Sequence, residues 1–175
     1  MASTNVQRDK LINYTVFVEG NRKLGTADIT LPTISYNTDT LSGAGIAGEV
    51  DMPTLGHTDS MEVEINWRIV TGDLAVLIEP RGHNLEFRGS NQIYDEGNNE
   101  FKTSPVVVSV RALPKEGSLG KLEAMSTADA SNTLEVTYLK VEIAGETKIE
   151  IDKLNFIHMI NGTDYLASVR SDLGL

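Results

Sequence analysis

The chain reads as one mainly β domain, an antiparallel barrel or sandwich with one or two short helices. Three observations predict this. From Met61 to Ile69, the apolar residues Met61, Val63, Ile65, Trp67 and Ile69 alternate with Glu62, Glu64, Asn66 and Arg68. A strand turns that period of two into one apolar and one polar face, whereas a helix scatters both sets around its axis. β-Branched residues also gather in short runs, above all Val106-Val107-Val108 with Val110. Glycine and asparagine turn signals separate these runs.

Taken in order, Val16 to Glu19 and Asp28 to Leu31 are expected to form a first strand pair, joined by a loop holding Gly20 and Gly25. Tyr36 to Ser60 is rich in Gly, Thr and Asp and has no stable period. Connections of that length are usually functional or disordered, so this one is expected to act as an extended loop. The alternating run from Met61 predicts a strand of roughly ten residues, about 33 Å long. Trp67 lies on its apolar face and reads as core. Asp73, after Gly72, is expected to cap a short helix that Pro80 ends. Gly97-Asn98-Asn99 is a turn.

Pro105 and Pro114 bound the valine run, which places Pro105 at a strand start or an edge. Leu134, Val136 and Tyr138 share one parity, while Leu139, Val141 and Ile143 share the other. The change predicts a bulge there or a strand buried on both faces. Ala144-Gly145-Glu146 supplies a turn, and Ile149 and Ile151 begin the return strand. Thr163 or Asp164 is expected to cap a C-terminal turn with Leu166, Val169 and Leu173 inward.

A length of 175 residues suits one domain, 1–175, with a sizeable core. No apolar run approaches the roughly 20 residues needed to span a bilayer, and the first residues lack the pattern of a signal peptide. The absence of cysteine excludes disulfides and thiol catalysis and fits synthesis in a cytoplasm. Net charge is −10, with 15 basic residues scattered among 25 acidic ones. Nucleic-acid backbone binding needs clustered Lys and Arg, so it is not expected.

No catalytic, cofactor or metal constellation stands out. Gly43-Ala44-Gly45-Ile46-Ala47-Gly48 matches G-x-G-x-x-G literally, but Asp51, Pro53 and Gly56 follow it, and no helix for a dinucleotide runs through them. It reads as a flexible loop whose small residues permit close approach by another subunit. His57, His83 and His158 show no zinc-ligand spacing. His57 and His83 are expected to be solvated, and His158, among apolar residues, half-buried. His57-Thr58-Asp59-Ser60 is too short a segment for a catalytic triad, and Asp95-Glu96 and Glu62/Glu64 lack the pattern of a calcium loop. Asn13-Tyr14-Thr15 and Asn161-Gly162-Thr163 fit the glycosylation pattern, and read as a coincidence and a turn.

The stretch Glu150-Ile-Asp-Lys-Leu-Asn-Phe-Ile-His-Met-Ile-Asn-Gly-Thr-Asp-Tyr-Leu166 resembles the C-terminal signature of the major tail tube proteins of contractile phage tails and R-type bacteriocins. Val16-Phe17-Val18-Glu19-Gly20 resembles the first strand and turn of that family. Thr30-Leu31-Pro32 resembles the end of its second strand, and Gly43-Ala44-Gly45 a Gly-rich segment in its long hairpin. The ending Arg170-Ser-Asp-Leu-Gly-Leu175 is also similar. The order and spacing of these pieces carry the resemblance from Val16 to Leu175. Residues 1–14 stand before it as an N-terminal extension, and Leu113 to Ser131 matches poorly in detail.

The resemblance implies a structural subunit of a contractile tail that forms sixfold rings stacked into a hollow tube. It implies that the loop 36–60, with Leu41, Gly43, Ala44, Gly45, Ile46 and Gly48, reaches the neighbouring ring. It also implies partners beyond the chain's own copies: sheath, baseplate or initiator, tail terminator and tape measure protein. DNA would only pass through. The polar face of the 61–69 strand, with Glu62, Glu64 and Asn66, becomes a candidate lumen lining, where each acidic position repeats as a ring of like charges. The expected setting is a virion tail or bacteriocin particle assembled in the host cytoplasm. A related secretion tube and a monomeric β-sandwich binding module are the alternatives, the latter poorly served by scattered aromatics.

Overall fold

The structure is a computed structural model that describes residues 6–20, 22–25 and 27–175. Strands come in the order β1 (Val6–Val18), β2 (Arg22–Lys23), β3 (Ala27–Thr30), β4 (Tyr36–Ser42), β5 (Glu49–Thr58) and β6 (Glu62–Trp67). Helix α1 (Gly72–Ile78) follows, then β7 (His83–Asp95), β8 (Glu100–Ser118), β9 (Ala130–Ile143), β10 (Glu146–Asp152), β11 (Ile157–Ile160), β12 (Thr163–Asp164) and α2 (Ala167–Leu173). All pairings are antiparallel.

One sheet runs β12-β11-β10-β9-β8-β7-β1-β2, and β9 is its fork. Its first half, Ala130 to Glu135, pairs with β6, which in turn carries β3. Its second half, Tyr138 to Ile143, pairs with β10. The expected phase change sits at this fork: Arg111 faces Tyr138 while Ala112 faces Val136, so Thr137 is bulged out. Its hydroxyl donates to the Arg111 carbonyl at 3.1 Å. A bulge bends its strand and raises local twist, which carries β6 and β3 across to the far side of the core.

The core lies between these arms. Val63, Ile65, Trp67, Leu85, Val110, Leu134, Val136 and Leu139 are buried there, and Leu74 and Leu77 of α1 close one end. Trp67 donates its indole N–H to Asn132 at 2.8 Å, and the Asn132 amide donates to the Leu74 carbonyl at 3.4 Å. Burial of the indole and of Asn132 is thus matched by hydrogen bonds.

Several expectations need correction. Val16–Glu19 does not pair with Asp28–Leu31: β1 pairs with β2 and β7, and β3 pairs with β6. The alternating run yields a six-residue strand, and Ile69 is 62% exposed beyond its end. The long strands are instead β1, β7, β8 and β9. Within the expected extension 1–14, residues 6–14 form the first part of β1, and residues 1–5 lie outside the described ones. Pro105 and Pro114 lie inside the 19-residue β8 and do not bound it, though Pro105 sits at an open edge, one of its two expected places. Pro105 is tolerated because the β9 side is open there: β9 ends opposite Val106, and the Pro105 carbonyl takes only the Ala144 turn N–H at 2.9 Å.

Thr71, not Asp73, caps α1, accepting the Leu74 N–H at 3.4 Å. Asp73 instead accepts the Gly25 N–H at 3.1 Å. Leu166 occupies the cap position of α2 with no side-chain cap, and Leu173 is exposed. The turn at Ala144-Gly145 is as expected: both residues have positive φ, 53° and 83°, which matches a two-residue hairpin loop.

Candidate assembly surfaces

The segment 36–60 forms a separate two-stranded sheet, the β4–β5 hairpin. Its alternation gives it two unlike faces. Asp39 pairs with Met52 and Leu41 with Val50, so these four side chains share one face. Thr40, Asp51, Ser42 and Glu49 share the other. Leu41, Val50 and Met52 are 47%, 47% and 50% exposed, so this apolar face is bare. At the tip, Gly43, Gly45 and Gly48 have φ of 150°, 98° and 119° with no atom near a built Cβ, and Ala44 and Ile46 complete the turn. Glycine is what allows that tight reversal.

The C-terminal motif anchors the base of this hairpin. The Tyr36 hydroxyl meets His158 Nε2 at 3.2 Å, with ring centroids 5.6 Å apart, and Tyr165 packs edge-on at 6.4 Å. Gly56, at φ 68°, lies so close that a Cβ would stand 2.5 Å from Leu166 Cδ2. His158 is fully buried rather than half-buried, and burial lowers its pKa against the raising effect of Asp164.

Two aspartates hold the turns of the motif. Asp152 accepts the backbone N–H groups of Leu154 and Asn155, both at 3.1 Å, the Asn155 amide at 2.8 Å and Arg111 at 2.7 Å. Burial works to raise its carboxyl pKa, but the Asn155 and Arg111 contacts outweigh it and the net shift is downward. Asp164 is held low chiefly by the Arg170 guanidinium at 2.6 Å, and also accepts the Leu166 N–H at 3.0 Å. The sequence reading named Asp164 only as a candidate cap and did not single out Asp152. Asp-x-x-Asn at 152–155 is the local signal for such a turn. The Asn161-Gly162 turn has φ of 49° and 82°, as its sequence predicts.

A second surface is the outer part of the long strands. Above the level of Val106, β9 has ended, and β8, β7 and β1 continue alone as a three-stranded extension. Residues 7–13 of β1 are all exposed, as is Phe101 on β8. Among the described residues, no strand pairs with the outer edge of β1 from Val6 to Asn13, nor with that of β8 from Glu100 to Ser104. At its tip, Asp95 accepts Lys102 at 2.6 Å and Asn98 at 2.8 Å, and in that order these lower its pKa to about 2.

The third surface is the polar face of the sheet. Glu62, Glu64 and Asn66 lie on it opposite Glu135, Thr133 and Ser131, and it continues through Lys140, Arg111, Glu86 and Arg88. Its charges are cross-linked: Glu62 bonds Lys115, Glu86 bonds Arg88, and Lys140 lies 3.0 Å from Glu142. Glu62 and Glu86 there do not stand as unmatched like charges, whereas Glu64 faces Thr133 across the strand pair. Tyr138 is pushed up to about 12 by burial and by its 3.0 Å bond to Glu150.

His83 is 1% exposed, contrary to expectation, with Nε2 3.2 Å from the Glu79 carbonyl, while His57 is exposed. Among the described residues no cluster of His, Asp or Glu could hold a metal ion. The candidate site is a set of exposed surfaces.

Known proteins fit this architecture. A tail tube protein of Escherichia phage P2 is 28% identical over 173 residues, covering 95% of this chain and 96% of that protein. The major tail tube protein of Serratia phage KSP20 is 26% identical over 168 residues, with the same coverage of each chain. A solved sheath/tube terminator from an extracellular contractile injection system has the same fold, with TM-score 0.53 at 17% identity, covering 78% of this chain and 97% of that one. The model of the phage tail tube protein FII family matches residues 8–174, and the chain, a tail tube subunit, belongs to that family.

Proposed function

We propose that copies of this chain close into six-membered rings through the edges of the β1–β7–β8 extension, and that the β4–β5 hairpin stacks ring on ring. The observation that carries this is the extension itself, a hydrogen-bonded sheet with bare faces and two open edges. Open edges invite pairing with another chain. Both β1 and β8 run antiparallel to β7, so they run parallel to each other. Rotation about a tube axis preserves strand sense along it, so β1 of one copy meets β8 of the next as a parallel pair.

The polar face, including Glu62, Glu64 and Asn66, lines the lumen in this reading. Its paired charges offer DNA phosphates no cluster of free cations, so DNA passes without specific binding. Sheath contacts fall on the outer surface with α1 and the loop after β8, where Leu119, Leu122 and Met125 are exposed. Baseplate or initiator, terminator and tape measure proteins complete the partners of a tail assembled in the host cytoplasm. The chain has no catalytic role and needs no cofactor.

Negative-stain electron microscopy of the purified chain, with a baseplate seed if it stays monomeric, tests the tube. Hollow stacked rings are expected, and a chain that remains monomeric on the seed overturns the reading. Gly45→Val tests the hairpin. Its φ of 98° is one that a β-branched residue rarely adopts, so shorter tubes at an unchanged melting temperature are expected. Unaltered tube length would remove the hairpin from stacking.

A further inference from the structure

The apolar face of the hairpin has no cover in its own chain, and its charge is one-sided. Residues 36–58 hold Asp39, Glu49 and Asp51 and no Lys or Arg. A complementary cation, Arg8, lies on the core-side face of the β1–β7–β8 extension, which also carries Asp95 and Glu100. Cross-strand register places Arg8, Ile93 and Lys102 on one face, and Leu11 joins them opposite Asn91. Below them is an apolar cavity of about 130 Å³, lined by Leu11, Tyr14, Leu31 and Val106 among others. Gly89 keeps it open, because a Cβ there would stand 2.9 Å from both Leu11 and Val106 side-chain atoms. Lys102 is bound to Asp95, but Arg8 has no carboxylate partner among the described residues.

From this we infer that the Leu41–Val50–Met52 face of one copy's hairpin seats on the core-side face of the extension of a second copy, with Asp39 meeting Arg8. The inference rests on the reading of the hairpin as the stacking element and names its receptor. Burying Leu41, Val50 and Met52 against Leu11 and Ile93 supplies the attraction, since apolar area removed from water is stabilising. The charge pair sets orientation, and the reversed face, with Thr40, Ser42, Glu49 and Asp51, offers no apolar side chain to Leu11 and Ile93. The other hairpin face, with Glu49 and Asp51, stays toward solvent.

A charge exchange tests this. Both positions are exposed, so neither Arg8→Asp nor Asp39→Arg should change the thermal melt of the free chain. Each alone is expected to raise the concentration needed for pelletable tubes, by about tenfold. The double variant Arg8→Asp with Asp39→Arg is expected to restore it. Single variants that assemble normally, or a double variant that assembles no better than the singles, overturn the pairing. A chain with residues 39–51 replaced by a short turn separates the two claims. If it stacks normally, the hairpin is not the stacking element and both claims fall. If it fails to stack while the charge variants behave as the parent, only the receptor assignment falls.

Discussion

The long strands change character along their length, and the two halves teach different things. In β1, Val16 and Val18 are buried, whereas residues 7–13 are all exposed. In β8, Val108, Val110 and Ala112 are buried, whereas Phe101 is among the most exposed aromatics. The hydrogen-bonded ladder is continuous through both halves. The inner half has arms on both sides of its side chains and gains the free energy of burial. The outer half has ladder bonds and a few exposed side-chain contacts, such as Tyr94 on Phe101 and Lys102 on Asp95, and net hydrogen-bond contributions of about 1 kcal/mol each barely offset the cost of ordering its backbone. A two-sided bare sheet is a poor way to stabilise a monomer and a good way to prepare one for assembly.

Three changes would break or sharpen that contrast. The largest effect is expected in the inner half. Trp67→Ala leaves a cavity and removes the partner of buried Asn132, so the urea midpoint should fall by the equivalent of about 3–5 kcal/mol. A much smaller loss would mean that the core does not hold the monomer as described.

An intermediate, pH-dependent effect is expected at the tip of the outer half. The folded pKa of Asp95, about 2, is depressed below its unfolded value. Its contribution is therefore present above roughly pH 4 and lost as pH falls toward 2. Asp95→Asn should flatten that acid limb, followed by hydrogen exchange at the amides of the 96–99 turn. An unchanged limb would show that Lys102 and Asn98 do not hold the tip.

The smallest stability effect is expected from Ile12→Thr in the bare part of β1. The free chain should melt within about 0.5 kcal/mol of the parent, yet tube yield should drop. A clear loss of monomer stability would mean that the outer half is not bare in solution.

Local chemistry by itself determined a good deal. The alternation of Met61 to Trp67 predicted which side chains enter the core, because a strand's faces follow from covalent geometry alone. The phase change near Tyr138 pointed to a bulge or a strand buried on both faces, of which the fold has the bulge, and Ala144-Gly145 and Asn161-Gly162 predicted their turns, because positive φ selects few residues. The Gly-rich segment and the C-terminal motif pointed to a tail tube protein, and the family match agrees.

Only the tertiary structure decided neighbours and edges. Alternation says which face is buried but not which strand lies alongside, so β3 was assigned to β1 when it belongs to β6. Pro105 looked like a boundary because a proline's tolerance depends on whether a partner needs its N–H, and here β9 stops short. His83 looked solvated because its burial comes from strands distant in sequence. The bare half of β1 had no local mark, since its exposure is set by where β9 and β3 end. Residues 150–166 were legible as a signature. The turns that two aspartates pin are local, but the grip of His158 and Leu166 on the hairpin base required the chain to be folded, because Tyr36–His158, Gly56–Leu166 and Arg111–Asp152 join segments far apart in sequence.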